Sequence, residues 1–212
     1  MSPCGSVFGD RDPYKSVSSW CFSTFKGHFA TAQGHCSPLT VLDNHSRFNL
    51  MLTACSDTPT PCVRAHFEVI FRRYGLPVQI NFDNGASWGA PSAPGQITEL
   101  GRWLVQLGIR VCYSRPHHPQ TNGKDERFLR SLKAEVLNGV SFASPAQVQR
   151  ALDRWRHSYN HERPHDALGL ATPVSRYHIS PRLNTYPTVR CCGSAGAASR
   201  AFAVRATSSP VS

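Results

Sequence analysis

Two carboxylates stand where a carboxylate could bind a divalent metal ion. Asp83 ends the apolar segment VQINFD (78–83), and Asn84-Gly85 after it predicts a turn. Glu126 stands in the first turn of a predicted helix whose other charged side chains are mostly cationic. These cations are Lys124, Arg127, Arg130 and Lys133. Mg²⁺ and Mn²⁺ prefer carboxylate oxygens together with water and phosphate. The pattern therefore predicts a metal site at Asp83 and Glu126, with a polyanionic substrate held by the cations.

Both acids also have an ordinary structural explanation. An Asp before Asn-Gly can cap the turn through its own side chain. An acid in the first turn of a helix complements the macrodipole, and Glu126 can form an i,i+4 pair with Arg130. The local sequence alone leaves these explanations open.

The composition favours a nucleic-acid partner and a cytoplasmic protein without a membrane segment. The 212 residues carry a net charge of +10, with Lys and Arg spread along the chain. No apolar run approaches the roughly 20 residues that span a bilayer, and the N-terminus lacks a secretory signal. The eight cysteines contain no C-x-x-C pair, which argues against a zinc site or a disulfide framework. Cys55, Cys62 and Cys112 are predicted to be small core residues.

The order of predicted elements indicates an α/β fold with one mixed sheet and helices on its faces. A strand from Trp20 and a hairpin around residues 43–46 come first. Turn, cap and periodicity signals then predict, in order, a helix at 60–74, a strand at 78–83, a helix at 97–107, a strand at 109–113, and helices that begin near Lys124 and at Ser144-Pro145. Asp83 is thereby predicted at the carboxyl end of a strand, where open α/β sheets bind ligands.

Three segments carry a family resemblance: FDNGASWG, RPHHPQTNGKDERFLRSLKAEVL and YNHERPHDALGLATP. From about Trp20 to Pro181 the chain resembles the catalytic core of the D-D-E transposases of bacterial insertion sequences, which are relatives of retroviral integrases. The resemblance implies a ribonuclease H-like fold and metal-dependent phosphodiester strand transfer in DNA, with Mg²⁺ or Mn²⁺ as cofactor. It also implies a homo-oligomer that acts on element ends and target DNA.

Residue by residue, Asp83 matches the second acid of the family's triad and Glu126 matches the third. The resemblance assigns DNA contacts to the basic helix and to the YN-x-x-RPH motif, namely to Lys124, Arg127, Arg130, Lys133 and Arg163. The first acid is expected in a Trp-x-x-Asp-Phe-Lys-Gly stretch, where this chain reads WCFSTFKG. Thr24 therefore replaces the acid before Phe25-Lys26-Gly27, and one extra residue separates it from Trp20. A neutral hydroxyl is a poor substitute for a bridging carboxylate, so impaired catalysis is predicted. Asp43 at the hairpin is the remaining candidate for that role.

The predicted domain organisation has three parts. Residues 1–19 form an irregular segment, 20–181 form the core with a C-terminal helical extension, and 182–212 form a disordered tail. Nothing before Trp20 has helical periodicity, whereas the family carries a helix-turn-helix region there. These departures favour a decayed or frame-disrupted copy. A non-catalytic DNA-binding or multimerising remnant is the alternative function, and a nuclease without element specificity is the third.

Overall fold

The computed structural model describes residues 19–24, 29–55, 60–82, 97–113 and 123–182. The helices and strands follow in chain order as β1 (Ser19–Thr24), β2 (Phe29–Thr31), β3 (Gly34–Asp43), β4 (Asn49–Cys55), α1 (Thr60–Tyr74), β5 (Gln79–Phe82), α2 (Glu99–Gln106), β6 (Arg110–Tyr113), α3 (Gly123–Leu132), a π-helix (Lys133–Leu137), α4 (Pro145–His161), a short 3₁₀-helix (Asp166–Leu168) and α5 (Pro173–Arg176).

The described strands form one mixed sheet, as the sequence predicts. β1 lies between β3, with which it is antiparallel, and β5, with which it is parallel. β6 extends the parallel part beyond β5, while β4 pairs with β3 on the antiparallel side. The short β2 pairs with the first residues of β3 and was not predicted as a separate strand. The parallel strands are joined through α1 and α2, as parallel connections require.

Each face of the sheet carries its own hydrophobic core. One core, which we call the α1 face, contains Trp20, Leu39 and Ile80 packed against Phe67 of α1 and Leu104 of α2. The other core, which we call the α3 face, contains Cys36, Leu42 and Leu52 of the sheet. Its helix residues include Phe128, Leu132, Val148 and Leu152. Burial of apolar area on both sides is the main stabilising term for such a three-layer arrangement.

The β3–β4 hairpin fixes Asp43 as a structural residue. Its Oδ2 accepts hydrogen bonds from the Ser46 N–H at 2.7 Å and from the Ser46 hydroxyl at 2.6 Å, and the carboxylate is buried. Asp43 pairs with Trp20, whereas Thr24 pairs with Leu39 four residues along the ladder. Asp43 therefore lies toward the opposite end of β1 from Thr24 and is not placed to replace an acid there.

The cysteine prediction is wrong in part. Cys62 is exposed near the start of α1, and Cys55 and Cys112 are half-buried. Among the four cysteines whose burial the structure describes, Cys36 is fully buried, and burial raises the pKa of its thiol to about 11. Apolar neighbours in sequence misled the prediction because the first turn of an amphipathic helix alternates between core and solvent.

A strap of residues 177–182 closes the end of α1 against the parallel strands. The Ser180 N–H donates to the Tyr74 carbonyl at 3.0 Å, and the Leu76 N–H donates to the Arg182 carbonyl at 2.7 Å. The Arg182 guanidinium donates to the carbonyls of Pro77, Leu107 and Gly108. Arg182, predicted as the first residue of the tail, thus bonds to the core. No described helix combines the length and the apolarity needed to cross a bilayer.

Candidate functional site

Helix α3 presents the predicted acid and cations to solvent while its apolar side packs on the sheet. Phe128 and Leu132 are almost fully buried in the α3 face. Glu126, Arg127 and Arg130 are exposed. Lys124 and Lys133 are exposed as well, and the Lys124 ammonium donates to the Asn44 carbonyl at 3.2 Å. Phe128 is the core residue that the apolar spacing missed, because the pattern counted only Leu129, Leu132 and Val136.

The local explanation of Glu126 as the partner of Arg130 is not realised. No ion pair joins these two side chains within the described parts of the chain. The position in the first turn still suits the macrodipole. An exposed carboxylate among exposed cations remains, which is the arrangement predicted from the sequence.

The end of α3 departs from the predicted regular helix. Lys133–Leu137 is a π-helix, and the Asn138 N–H donates to the Lys133 carbonyl at 2.8 Å. The wider turn lets both Val136 and Leu137 reach the core. After it the chain reaches the end of β2, where the N–H of Ala32, the residue after the strand, donates to the Phe142 carbonyl at 3.0 Å. Helix α3 and its π-turn thus run across the sheet from the β3–β4 turn to β2.

Asp83 lies outside the described residues, so its proximity to Glu126 stays a prediction. Described strand β5 ends at Phe82, which pairs with Phe22 of β1. His117 and His118, in the segment before α3, and Trp88, shortly after Asn84-Gly85, also lie outside the described residues. The backbone of Thr24 ends β1, next to the end of β5.

The described residues do not complete a metal site by themselves. Within them, no group of three or more His, Cys, Asp or Glu side chains is arranged to hold an ion. Glu126 supplies one solvent-accessible carboxylate, which is a suitable ligand for Mg²⁺ but too little charge for a site with two ions. The fit of the chain to a metal therefore depends on Asp83 and on β1.

The YN-x-x-RPH motif docks α4 onto the hairpin. The Asn160 amide accepts the Asn49 N–H at 2.8 Å and donates to the Asn49 carbonyl at 2.9 Å, and it is buried. Tyr159 packs edge-on against Phe128 and His165, with ring centroids 5.0 and 4.8 Å apart. Burial lowers the pKa of His165. The motif's first residues are thus structural.

Arg163 is engaged by an acid at the surface. Its guanidinium forms an ion pair with Glu135 of the π-helix, and the Trp155 indole N–H donates to the same carboxylate at 2.7 Å. Partial burial favours the neutral acid, but the hydrogen bonds from Arg163 and Trp155 and the Arg163 charge outweigh it and hold the pKa of Glu135 below its usual range. Arg163, which the sequence predicts to contact DNA, therefore has its charge compensated by Glu135 in this structure.

Similarity to known proteins extends over most of this architecture. The chain is 31% identical over 91 residues to an uncharacterized protein of insertion element IS136 from Agrobacterium fabrum, which covers 43% of each chain. It is 26% identical to an uncharacterized 31.7 kDa protein of insertion element IS407 from Burkholderia multivorans, over 64% of this chain and 46% of that one. The chain thus spans less than half the length of these relatives.

Solved structures and family profiles agree with the fold. A chain of the simian T-cell lymphotropic virus intasome in complex with PP2A regulatory subunit B56 gamma matches with a TM-score of 0.58 at 20% identity over 81% of this chain and 57% of that chain. The catalytic core domain of BIV integrase matches with a TM-score of 0.52 at 20% identity over 74% of this chain and 91% of that one. The fold is therefore ribonuclease H-like, as expected. Two profiles described as Integrase core domain match residues 13–119 and 107–173. On these matches the chain belongs to the integrase core domain family.

Proposed function

We propose that this chain is the DNA-handling core of a transposition enzyme whose metal-dependent strand-transfer chemistry is impaired. The observation that carries the proposal is helix α3, which packs its apolar side on the sheet and exposes Glu126 among cations. Membership of the integrase core family supports DNA as the substrate. Its insertion-element relatives support element ends and target DNA as the two partners.

DNA would bind along the exposed side of α3. Lys124, Arg127, Arg130 and Lys133 recur every three residues, so a phosphate backbone can contact several of them at once. Lysine and arginine contacts to phosphate position a duplex without reading its sequence. Arg163 joins this surface only when its ion pair with Glu135 opens.

Asp83 and Glu126 would hold Mg²⁺ or Mn²⁺, with phosphate oxygens and water as further ligands. When bound, such ions would stabilise the negative charge on the attacking and leaving oxygens of a phosphodiester exchange. The chain's own part is to hold DNA on α3 and to offer the carboxylates. At the end of β1 the sequence has Ser23 and Thr24 and no acid, and this carries the proposal of impairment.

A non-catalytic remnant that binds DNA or assembles with copies of itself is the second candidate. The missing acid at the end of β1 favours this candidate as well. Without that acid the sheet, both hydrophobic cores and the basic helix are still intact. Homo-oligomerisation is part of both candidates.

A joining assay tests the proposal. A short duplex with a free 3′ hydroxyl and a plasmid target are incubated with the chain and Mn²⁺, and DNA retention is measured in the same mixture. We expect retention of DNA with little or no joined product. Efficient joining that Glu126→Gln abolishes would contradict the impairment and establish the enzyme. Absence of both retention and joining would contradict the whole proposal.

A further inference from the structure

The carboxyl end of β1 offers two neighbouring positions, 23 and 24, and its ladder with β3 separates them by face. Ser23 pairs with Thr40, and Thr24 pairs with Leu39. Residues that pair directly across an antiparallel ladder lie on the same face of the sheet, and successive residues lie on opposite faces.

The two cores show which face is which. Leu39 belongs to the core of the α1 face. Thr40 pairs on its other side with Leu52, which belongs to the core of the α3 face. Position 24 is therefore on the face covered by α1, and position 23 is on the face covered by the helix that carries Glu126.

The ladder also shows where extra chain length is absorbed. From Trp20 to Thr24 each residue of β1 matches one residue of β3 without a shift. From Thr24 to Phe29 the chain takes five steps, while β3 takes three, from Leu39 to Cys36. Trp20 is fully buried and anchors the strand. The position of the family's first acid is therefore found by counting forward from Trp20, and not by counting back from Phe25-Lys26-Gly27.

We infer that Ser23, and not Thr24, occupies the position from which β1 would complete a metal site with Glu126. Cys21 and Ser23 are the two positions on the α3 face toward the carboxyl end of β1. Ser23 comes directly after Phe22, which pairs with Phe82. Phe82 is the residue before Asp83 in the sequence. This inference rests on the proposed function and specifies its incomplete site.

Calorimetric titration with Mn²⁺ tests the inference on the full chain. Ser23→Asp should tighten Mn²⁺ binding by about tenfold or more, because a negative oxygen ligand is added on the side of Glu126. The asparagine side chain has the shape of aspartate without its charge, so Ser23→Asn should bind Mn²⁺ about as weakly as the unmodified chain. The same is expected of Thr24→Asp. Adding Glu126→Gln to Ser23→Asp should remove the gain.

Three results would overturn the inference: a gain at Thr24→Asp equal to that at Ser23→Asp, a gain that survives Glu126→Gln, or a folded Ser23→Asp without a gain. Circular dichroism melts report folding of each variant. If an aspartate variant unfolds, Ser23→His and Thr24→His are compared with Zn²⁺ as the probe, and equal affinities would overturn it. DNA retention by the unmodified chain is measured separately, so that a manganese gain without any DNA binding would refute the proposed function and leave the position of the site intact.

Discussion

The side chain of Asn160 joins α4 to the first residue of β4. It satisfies the buried Asn49 N–H, which has no strand partner on that side, and it shares the Asn49 carbonyl with the Arg156 guanidinium. We expect Asn160→Ala to lower the free energy of unfolding by about 1–3 kcal/mol, because the Asn49 N–H is left buried without an acceptor. Urea unfolding measures the change. The exposed Asn138→Ala is the control and should change stability by less than about 0.5 kcal/mol. Equal effects of the two substitutions would show that the bridge contributes nothing.

The Glu135–Arg163 ion pair makes a small part of the stability depend on pH. The pKa of Glu135 is held below its usual range in the folded protein, so the pair stabilises above the unfolded-state value of roughly 4.3 and loses this effect as the pH falls below it. We expect Glu135→Gln to be less stable than the unmodified chain at pH 7, by less than about 1 kcal/mol because both side chains are about one-third exposed. In the same urea measurement the difference should shrink steadily as the pH is lowered, because the carboxylate becomes protonated as the pH falls through its lowered folded-state pKa. A difference that stays constant as the pH is lowered would rule the ion pair out as its source.

At the scale of elements, the strap and the end of α1 depend on a glycine. A Cβ at Gly75 would lie 2.4 Å from the Ser180 carbonyl oxygen, and the residue has a φ of +74°. Gly139 has nearly the same φ, +71°, with nothing within 4 Å of its Cβ position. We expect Gly75→Ala to cost about 2–4 kcal/mol and Gly139→Ala about 1 kcal/mol, because both bear the left-handed strain and only the first forces the strap away. Thermal unfolding of the two variants is the measurement. If Gly139→Ala is as damaging as Gly75→Ala, the contact with the strap is not the cause.

The elements that sequence predicts well are those with local signals. The Ser144-Pro145 cap starts α4 as expected, with the Ser144 hydroxyl accepting the Gln147 N–H at 3.3 Å. The turn at 44–46 and the stops at Gly75 and Gly108 were likewise readable from residue type. The π-turn and the short β2 carry no such signal, because both arise from packing against distant parts of the chain.

Register is what the sequence could not decide at the site. WCFSTFKG can be counted from Trp20 or from Phe25-Lys26-Gly27, and the two choices differ by one residue. Since a slip of one residue moves every side chain of a strand to the other face, the choice determines whether position 23 or 24 approaches α3. Only the pairing with β3, whose residues lie about twenty positions away, separates the two. The hydrogen-bond partner of Asn160 could not be predicted either, because Asn49 lies 111 residues away in the sequence.

At the scale of the molecule, the distribution of charge and the fold both favour the binding of a polyanion. The net charge of +10 is not confined to one segment, yet Lys124, Arg127, Arg130 and Lys133 are all exposed close to the exposed Glu126. Such a surface attracts a polyanion over several ångströms in a salt-dependent manner. The absence of an acid at the end of β1 removes none of this attraction. Binding and chemistry are therefore separable in this chain.

Binding to duplex DNA should accordingly depend on salt and be nearly independent of base sequence. Each phosphate neutralised by a cation contributes a slope of about −0.9 to the logarithm of the binding constant against the logarithm of salt concentration. We expect Arg127→Ala combined with Arg130→Ala to make that slope shallower by about 2, with a similar loss of affinity for unrelated duplexes. Arg102→Ala is the matched control, because Arg102 is an exposed arginine of α2, the helix that packs on the α1 face. Fluorescence anisotropy of two unrelated duplexes at several salt concentrations measures both quantities.

A slope that changes as much with Arg102→Ala as with the α3 pair would show that the whole surface, and not α3, holds the DNA. Tight, salt-insensitive preference for one duplex would contradict binding through phosphates altogether.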